Sequence, residues 1–154
     1  MVKFIAVRIR GGVKARGEVE DTLRMLGLTR INHCVLLDYT DSIQGMLQKA
    51  KDYITWGEAK PETVEILLKK RGRLAGDKKL AEEIVQKAGF SSVKDFAEKL
   101  CAGKAKISAV PGLKKVFRLH PPRGGFKATK RYFKDLGDLG YRGEAINELV
   151  KRMV

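Results

Sequence analysis

The chain has 154 residues, 44% hydrophobic and 32% charged, which excludes a largely disordered protein and fits one compact domain or two small ones. Its 32 Lys and Arg residues outnumber 18 Asp and Glu residues, giving a formal net charge of +14. A compact body of this charge repels itself. Nucleic acid is the polyanion that best relieves the repulsion, and a basic domain that works alone is the plainer alternative.

Residue types that serve metal binding or catalysis are few and scattered. Cys34 and Cys101 form no CxxC pair, His33 and His120 are the only histidines, and no hydrolase, metalloprotease or phosphate-loop motif occurs. No apolar run approaches the roughly 20 residues of a membrane span, and residues 1–10 lack a signal peptide's uninterrupted apolar region. We therefore expect no catalytic residue, metal, cofactor or membrane partner, and a cytoplasmic protein.

Strand and helix patterns alternate through the first third of the chain. Apolar residues recur at every second position in the first strand and with helical spacing after Thr40 or Asp41, which can cap a helix. In chain order the patterns predict a strand at 2–9, a helix at 18–26, a strand at 33–38, the helix capped by Thr40 or Asp41, and a strand at 53–56. Residues 1–57 should thus form a β-α-β-α-β domain, a small sheet covered by two helices.

Residues 58–154 predict a mainly helical extension. Pro61 suits the first turn of a helix that Gly72 ends, and Ser92 with Asp95 fits a weak capping box. The patterns predict helices after Pro61 and at 79–88, 92–102 and 143–153, with an extended stretch at 104–134.

The stretch 104–134, called here the basic segment, contains ten Lys and Arg residues and no Asp or Glu. An ordinary surface mixes charges of both signs, so these cations should share an exposed side that meets an anionic macromolecule. Aromatic residues between them could stack on unpaired bases, although Phe117 fits the core better and Phe126 suits either role. The cations are Lys104, Lys106, Lys114, Lys115, Arg118, Arg123, Lys127, Lys130, Arg131 and Lys134.

Within this segment, residues 117–126 read Phe-Arg-Leu-His-Pro-Pro-Arg-Gly-Gly-Phe. Two prolines stiffen the backbone, and Gly124 and Gly125 permit a close approach and a positive φ. Arg118, His120 and Arg123 could then present donors to phosphates. The alternative is a plain turn with no ligand.

Several pieces of this sequence, taken in order, resemble the large-subunit ribosomal protein family called L-thirty, with eukaryotic relatives called L-seven. The similarity is closest to the longer archaeal form and covers essentially the whole chain. The pieces are residues 6–11, 22–32, 45–50, 53–57, 70–73, 117–126, 139–143 and 146–153.

The resemblance implies a three-stranded antiparallel sheet of ferredoxin-like character and a structural role in the large ribosomal subunit. Implied partners are large-subunit (23S) rRNA, 5S rRNA and neighbouring large-subunit proteins. Together with the basic segment, it gives the candidate RNA contacts Arg8, Arg10, Lys14, Arg16, Arg24, Arg30, Lys114, Lys115, Arg118, His120, Arg123, Gly124, Gly125, Lys127, Lys130, Arg131 and Lys134. A free-standing nucleic-acid module and a metal-dependent nuclease are the rival hypotheses.

Overall fold

The computed structural model describes residues 2–154, which form an α+β fold around one sheet. The strands are β1 (Lys3–Arg8), β2 (His33–Asp38), β3 (Ile54–Glu58), β4 (Val116–Arg118) and β5 (Gly140–Tyr141). The helices are α1 (Gly17–Leu26), α2 (Asp41–Lys49), α3 (Pro61–Arg71), α4 (Glu82–Lys87), α5 (Val93–Cys101) and α6 (Ala145–Met153). The α+β class and the initial order β1-α1-β2-α2-β3 agree with the prediction.

The sheet is larger than the predicted three antiparallel strands, and that part of the prediction was wrong. Its order is β4-β2-β1-β3-β5, with β4 antiparallel to β2 and β5 parallel to β3. A three-stranded unit would leave the outer edges of β2 and β3 with unpaired backbone groups. The C-terminal extension pairs with both edges. Strands of three and two residues are too short to show a periodicity in the sequence.

Both faces of the sheet are covered by helices. Ile5 and Val7 of β1 face a core that also contains residues of α3, α5 and α6. Phe4 and Ala6 face the opposite way, into a smaller core with residues of α1 and α2. The central strand is therefore buried along its whole length, as a two-sided sheet requires.

The residues predicted to cap, start or end helices do so at three of the helices. The Thr40 hydroxyl accepts the Ile43 N–H at 3.2 Å at the start of α2, and the Ser92 hydroxyl accepts the Asp95 N–H at 3.2 Å at α5. Pro61 occupies the first turn of α3, and Gly72 follows its last residue. These local contacts satisfy backbone groups that helix termini leave unpaired.

Gly57 lies within β3, and the turn before α6 lies directly against its α-carbon. A Cβ at Gly57 would overlap the Gly143 carbonyl and press on the Ile146 side chain. We expect Gly57→Ala to lower the free energy of unfolding by about 2 kcal/mol or more, since backbone cannot move aside cheaply. Urea denaturation measures this. Gly17→Ala, whose Cβ meets nothing within 4 Å, is the control. Equal stabilities would contradict the packing described.

Candidate nucleic-acid interface

Strand pairing brings several distant basic loops to one end of the sheet. Arg8, the last residue of β1, pairs with Ile54, the first of β3. His33, the first residue of β2, pairs with Arg118, the last of β4. Four stretches of chain therefore meet the sheet at this end: the loops 9–16, 27–32 and 50–53 and the residues after β4. We call it the basic end.

The basic segment crosses the sheet at the basic end. It supplies β4 at one edge and leads to β5 at the opposite edge. At about 4.8 Å between strands, the two edges are roughly 19 Å apart. The Tyr132 hydroxyl reaches the Asp52 carboxylate in the loop before β3, which ties the later part of the segment to the same end. We expected the cations of the basic segment to share one exposed side of the protein. The segment instead follows a path across the molecule, because it joins the two outer strands.

Residues 117–126 are held by backbone contacts to β2's leading loop and to the end of α6. Leu119 N–H donates to Asn32 O at 3.1 Å, and His120 N–H donates to Met153 O at 3.0 Å. Arg123 N–H donates to Arg152 O at 3.1 Å, while Arg152 Nη1 donates to Arg123 O at 3.2 Å. The loop is thus ordered in the free protein, and binding a ligand need not order it.

The two glycines of this loop adopt a positive φ, and its two phenylalanines differ in how far they are buried. Gly124 and Gly125 have φ of 82° and 73°, and Gly125 N–H closes a turn onto Pro122 O at 2.9 Å. Phe117 is fully buried in the larger core, and Phe126 packs against that core with part of its ring exposed. Phe117 is therefore structural, whereas Phe126 retains a face toward solvent.

Most cations of the basic segment have no carboxylate partner. Lys114 and Arg118 share Asp77, with Arg118 Nη1 at 3.7 Å from Asp77 Oδ2. Those two cations hold the pKa of Asp77 below its ordinary value, mainly through the Lys114 hydrogen bond. The other eight are exposed, and within residues 2–154 no acidic oxygen lies within 4 Å of them. Their charge is available to an external anion.

Arg8 departs from the predicted role. It is only 2% exposed, and its guanidinium donates to Leu28 O at 2.8 Å and Arg10 O at 2.9 Å and approaches Glu20 at 3.3 Å. A candidate RNA contact is expected to be exposed, but α1 and the loop that follows it cover this face of β1. Arg8 therefore positions the loops of the basic end from inside the protein.

The remaining N-terminal candidates are more accessible. Lys14, Arg16 and Arg30 are exposed at the basic end, and Lys14 has a φ of 60°. Arg10 is half-buried, with its guanidinium 5.3 Å from the Tyr53 ring centroid. Arg24 is exposed on α1 and lies 3.7 Å from Asp21. Lys114 and Lys115 precede β4 and lie away from the basic end.

His33 records the electrostatics of this end. Burial, followed by the charges of Arg118, Arg30 and Arg8, lowers the pKa of its imidazole. The charges of these three guanidinium groups therefore contribute to a positive potential at the imidazole. An incoming phosphate would lower that potential.

A second group of cations was missed in the sequence. Residues 69–79 contain six Lys and Arg residues and one acid, Asp77. Arg73 and Lys79 bridge a small hairpin, and Lys114 N–H donates to Arg73 O at 2.9 Å, which places the hairpin beside β4. Charge density alone could have identified it. The group was overlooked because part of it lies in the predicted helix that ends at Gly72.

Other kinds of site find little support in the described chain. Residues 2–154 contain no group of three or more His, Cys, Asp or Glu side chains placed to hold a metal ion. None of the helices in this part of the chain is long and apolar enough to cross a membrane.

Comparison with known proteins identifies the family. The family model described as ribosomal protein L30p/L7e matches residues 4–54. A large ribosomal subunit protein uL30 from Methanopyrus kandleri is 50% identical over 149 residues, covering 95% of this chain and 100% of its own length. The uL30 proteins of Archaeoglobus fulgidus and Nanoarchaeum equitans are 46% and 45% identical, covering 97% and 100% of this chain and 99% and 100% of their own lengths. The chain therefore belongs to the L30p/L7e family of ribosomal proteins, in its long, archaeal-type form.

Proposed function

We propose that this protein is a structural constituent of the large ribosomal subunit in the cytoplasm and binds 23S rRNA through its basic end. One observation carries the proposal. Eight exposed Lys and Arg side chains of the basic segment lack a carboxylate partner within residues 2–154, and the segment passes the end of the sheet where Lys14, Arg16 and Arg30 also lie. The relatives' names, large ribosomal subunit protein uL30, support the assignment to this particle.

The contacts are mainly to phosphates. Lys and Arg on ordered loops neutralise phosphates and release counterions, and the ordered backbone of 117–126 fits a surface of fixed shape. Of the candidate contacts, Arg8 acts by positioning. Lys114 and Lys115 lie beside β4 and contact RNA that extends beyond the basic end, and the other candidates meet the RNA directly. Contact with 5S rRNA and with neighbouring large-subunit proteins belongs to the same proposal and rests on the family resemblance.

The family's role is structural, without turnover. The strands and turns of the basic segment also differ from the base-reading helix that a DNA-binding regulator would use.

Salt dependence tests the mechanism directly. Between 50 and 200 mM salt, we expect the affinity for deproteinised large-subunit rRNA to fall by roughly a thousand-fold, as about six or more phosphate contacts require. Filter binding at several salt concentrations measures the slope. In a separate co-sedimentation experiment, the protein should sediment with archaeal large subunits at moderate salt. An affinity that stayed flat across this range would exclude the phosphate-based mechanism.

A further inference from the structure

The loop before β5 presents a leucine in a conformation that leucine rarely adopts. Leu136 has φ 63° and ψ 29°, in the left-handed region, and its side chain is 82% exposed. That backbone region is unfavourable for residues with a Cβ, and an exposed leucine gains no burial in return. Two unfavourable features therefore coincide at one residue of the free protein.

The surrounding loop holds Leu136 in this conformation. Gly137 N–H donates to Tyr132 O at 2.8 Å, and Leu139 N–H donates to Arg131 O at 3.0 Å. Asp138 accepts the Ala128 N–H at 2.9 Å and pairs with Arg142 in the interior. A Cβ at Gly137 would overlap the Arg131 carbonyl, so the backbone is closely packed there. The tip cannot relax into a commoner conformation without losing these bonds.

The charges around the tip indicate its partner. Lys130, Arg131 and Lys134 are exposed and have no carboxylate within 4 Å in the described chain. Phe133, beside the tip, is 39% exposed. These three cations outnumber Asp135, the exposed acid that directly precedes Leu136. An apolar tip in a mainly cationic stretch fits RNA, since apolar side chains pack on or between bases while nearby cations hold the phosphates. A protein partner would instead need an acidic rim around an apolar hollow.

We propose that Leu136 is an apolar RNA contact that packs against unstacked bases of rRNA, with the three cations holding the flanking phosphates. This inference rests on the proposed function and adds a recognition element that is independent of charge. We therefore expect rRNA affinity and folding stability to respond differently to substitutions at position 136.

Two substitutions separate the contact from the fold. Leu136→Gly removes the side chain and accepts a positive φ freely, while Leu136→Asn keeps a similar size, tolerates the left-handed region and is polar. Both variants should melt no lower than the parent protein. Both should bind deproteinised large-subunit rRNA about ten-fold more weakly, in line with loss of one buried apolar side chain. The salt slope should stay unchanged, since no phosphate contact is lost.

Val2→Asn is the matched control, because Val2 is 52% exposed and precedes β1, at the end of the sheet opposite the basic end. It should leave rRNA affinity unchanged. Parental affinity for rRNA in both Leu136 variants would overturn the inference. So would normal rRNA binding combined with failure to enter large subunits, because a protein neighbour would then cover the tip. If the parent protein itself shows no salt dependence, the proposed function fails, whatever the Leu136 variants do.

Discussion

Replacing Arg123, Lys127, Lys130 and Arg131 with Gln should weaken binding to deproteinised large-subunit rRNA by about a hundred-fold or more at 0.1 M salt. All four side chains are exposed and free of carboxylate partners within residues 2–154. Each contributes through counterion release, so the slope of log affinity against log salt should also fall by about 3. Arg118 is left in place because it contacts Asp77, and its loss would alter that pair. Filter binding across a salt series measures both quantities.

A control variant carries the same loss of charge elsewhere. Lys60, Lys87, Lys94 and Lys99 also have accessible side chains, and they lie on or before helices α3, α4 and α5, outside both cation groups. Lys60 and Lys99 pair with Glu144 and Asp95, and surface pairs of this kind contribute little to stability. Substituting four cations lowers the net charge from +14 to +10 in either variant (14 − 4 = 10). The control should keep most of its affinity, and both should unfold at nearly the parental urea concentration. Equal losses of affinity would mean that only net charge matters and that the basic end has no special role.

The helices and the first three strands could be predicted because their signals are local. Caps at Thr40 and Ser92 and the proline at 61 each act within a few residues, and all three operate in the structure. The alternation in β1 also predicted a strand, although both of its faces are buried. Strands β4 and β5 had no such signal. They form because β2 and β3 offer free edges, which is a property of the assembled sheet.

The candidate site likewise has features that the sequence predicted and features that it could not predict. Charge density along the chain predicted the basic segment, and the pairing of His33 with Arg118 decided which other loops would join it. The burial of Arg8 depended on α1 covering the second face of β1, which no pattern within β1 could reveal. The division of the chain at residue 57 remains a prediction, although Ile5 and Val7 share one core with the extension.

Arg142 is expected to be the most important single side chain for the order of the loop before β5. Its side chain and that of Asp138 are each 4% exposed. Arg142 Nη2 donates to Asp138 O at 2.6 Å and lies 3.3 Å from Asp138 Oδ1, while Nε donates to Thr55 Oγ1 at 2.8 Å. The guanidinium also lies 5.0 Å from the Phe133 ring centroid. One side chain therefore joins β3 to the loop that presents Leu136.

Arg142→Met should lower the free energy of unfolding by about 3–5 kcal/mol, because it leaves the Asp138 carboxylate buried without its partner. Lys69→Met, which breaks the exposed pair with Glu65, should cost about 0.5 kcal/mol or less. Urea denaturation compares the two. A loss below about 1 kcal/mol for Arg142→Met would show that the buried pair does not hold the loop.

A double variant tests whether the unpaired charge is the cause. Asp138→Asn removes the charge, and the Asn side-chain oxygen can still accept the Ala128 N–H, which Asp138 Oδ2 accepts at 2.9 Å. The double variant Asp138→Asn with Arg142→Met should therefore be more stable than Arg142→Met alone, because no ionised group is then left unpaired in the interior. Both should bind rRNA less tightly than the parent, since the bond from Arg142 to Thr55 is lost in each and the tip is no longer fixed. Recovery of stability without recovery of affinity is the result that would separate burial of charge from positioning of the loop.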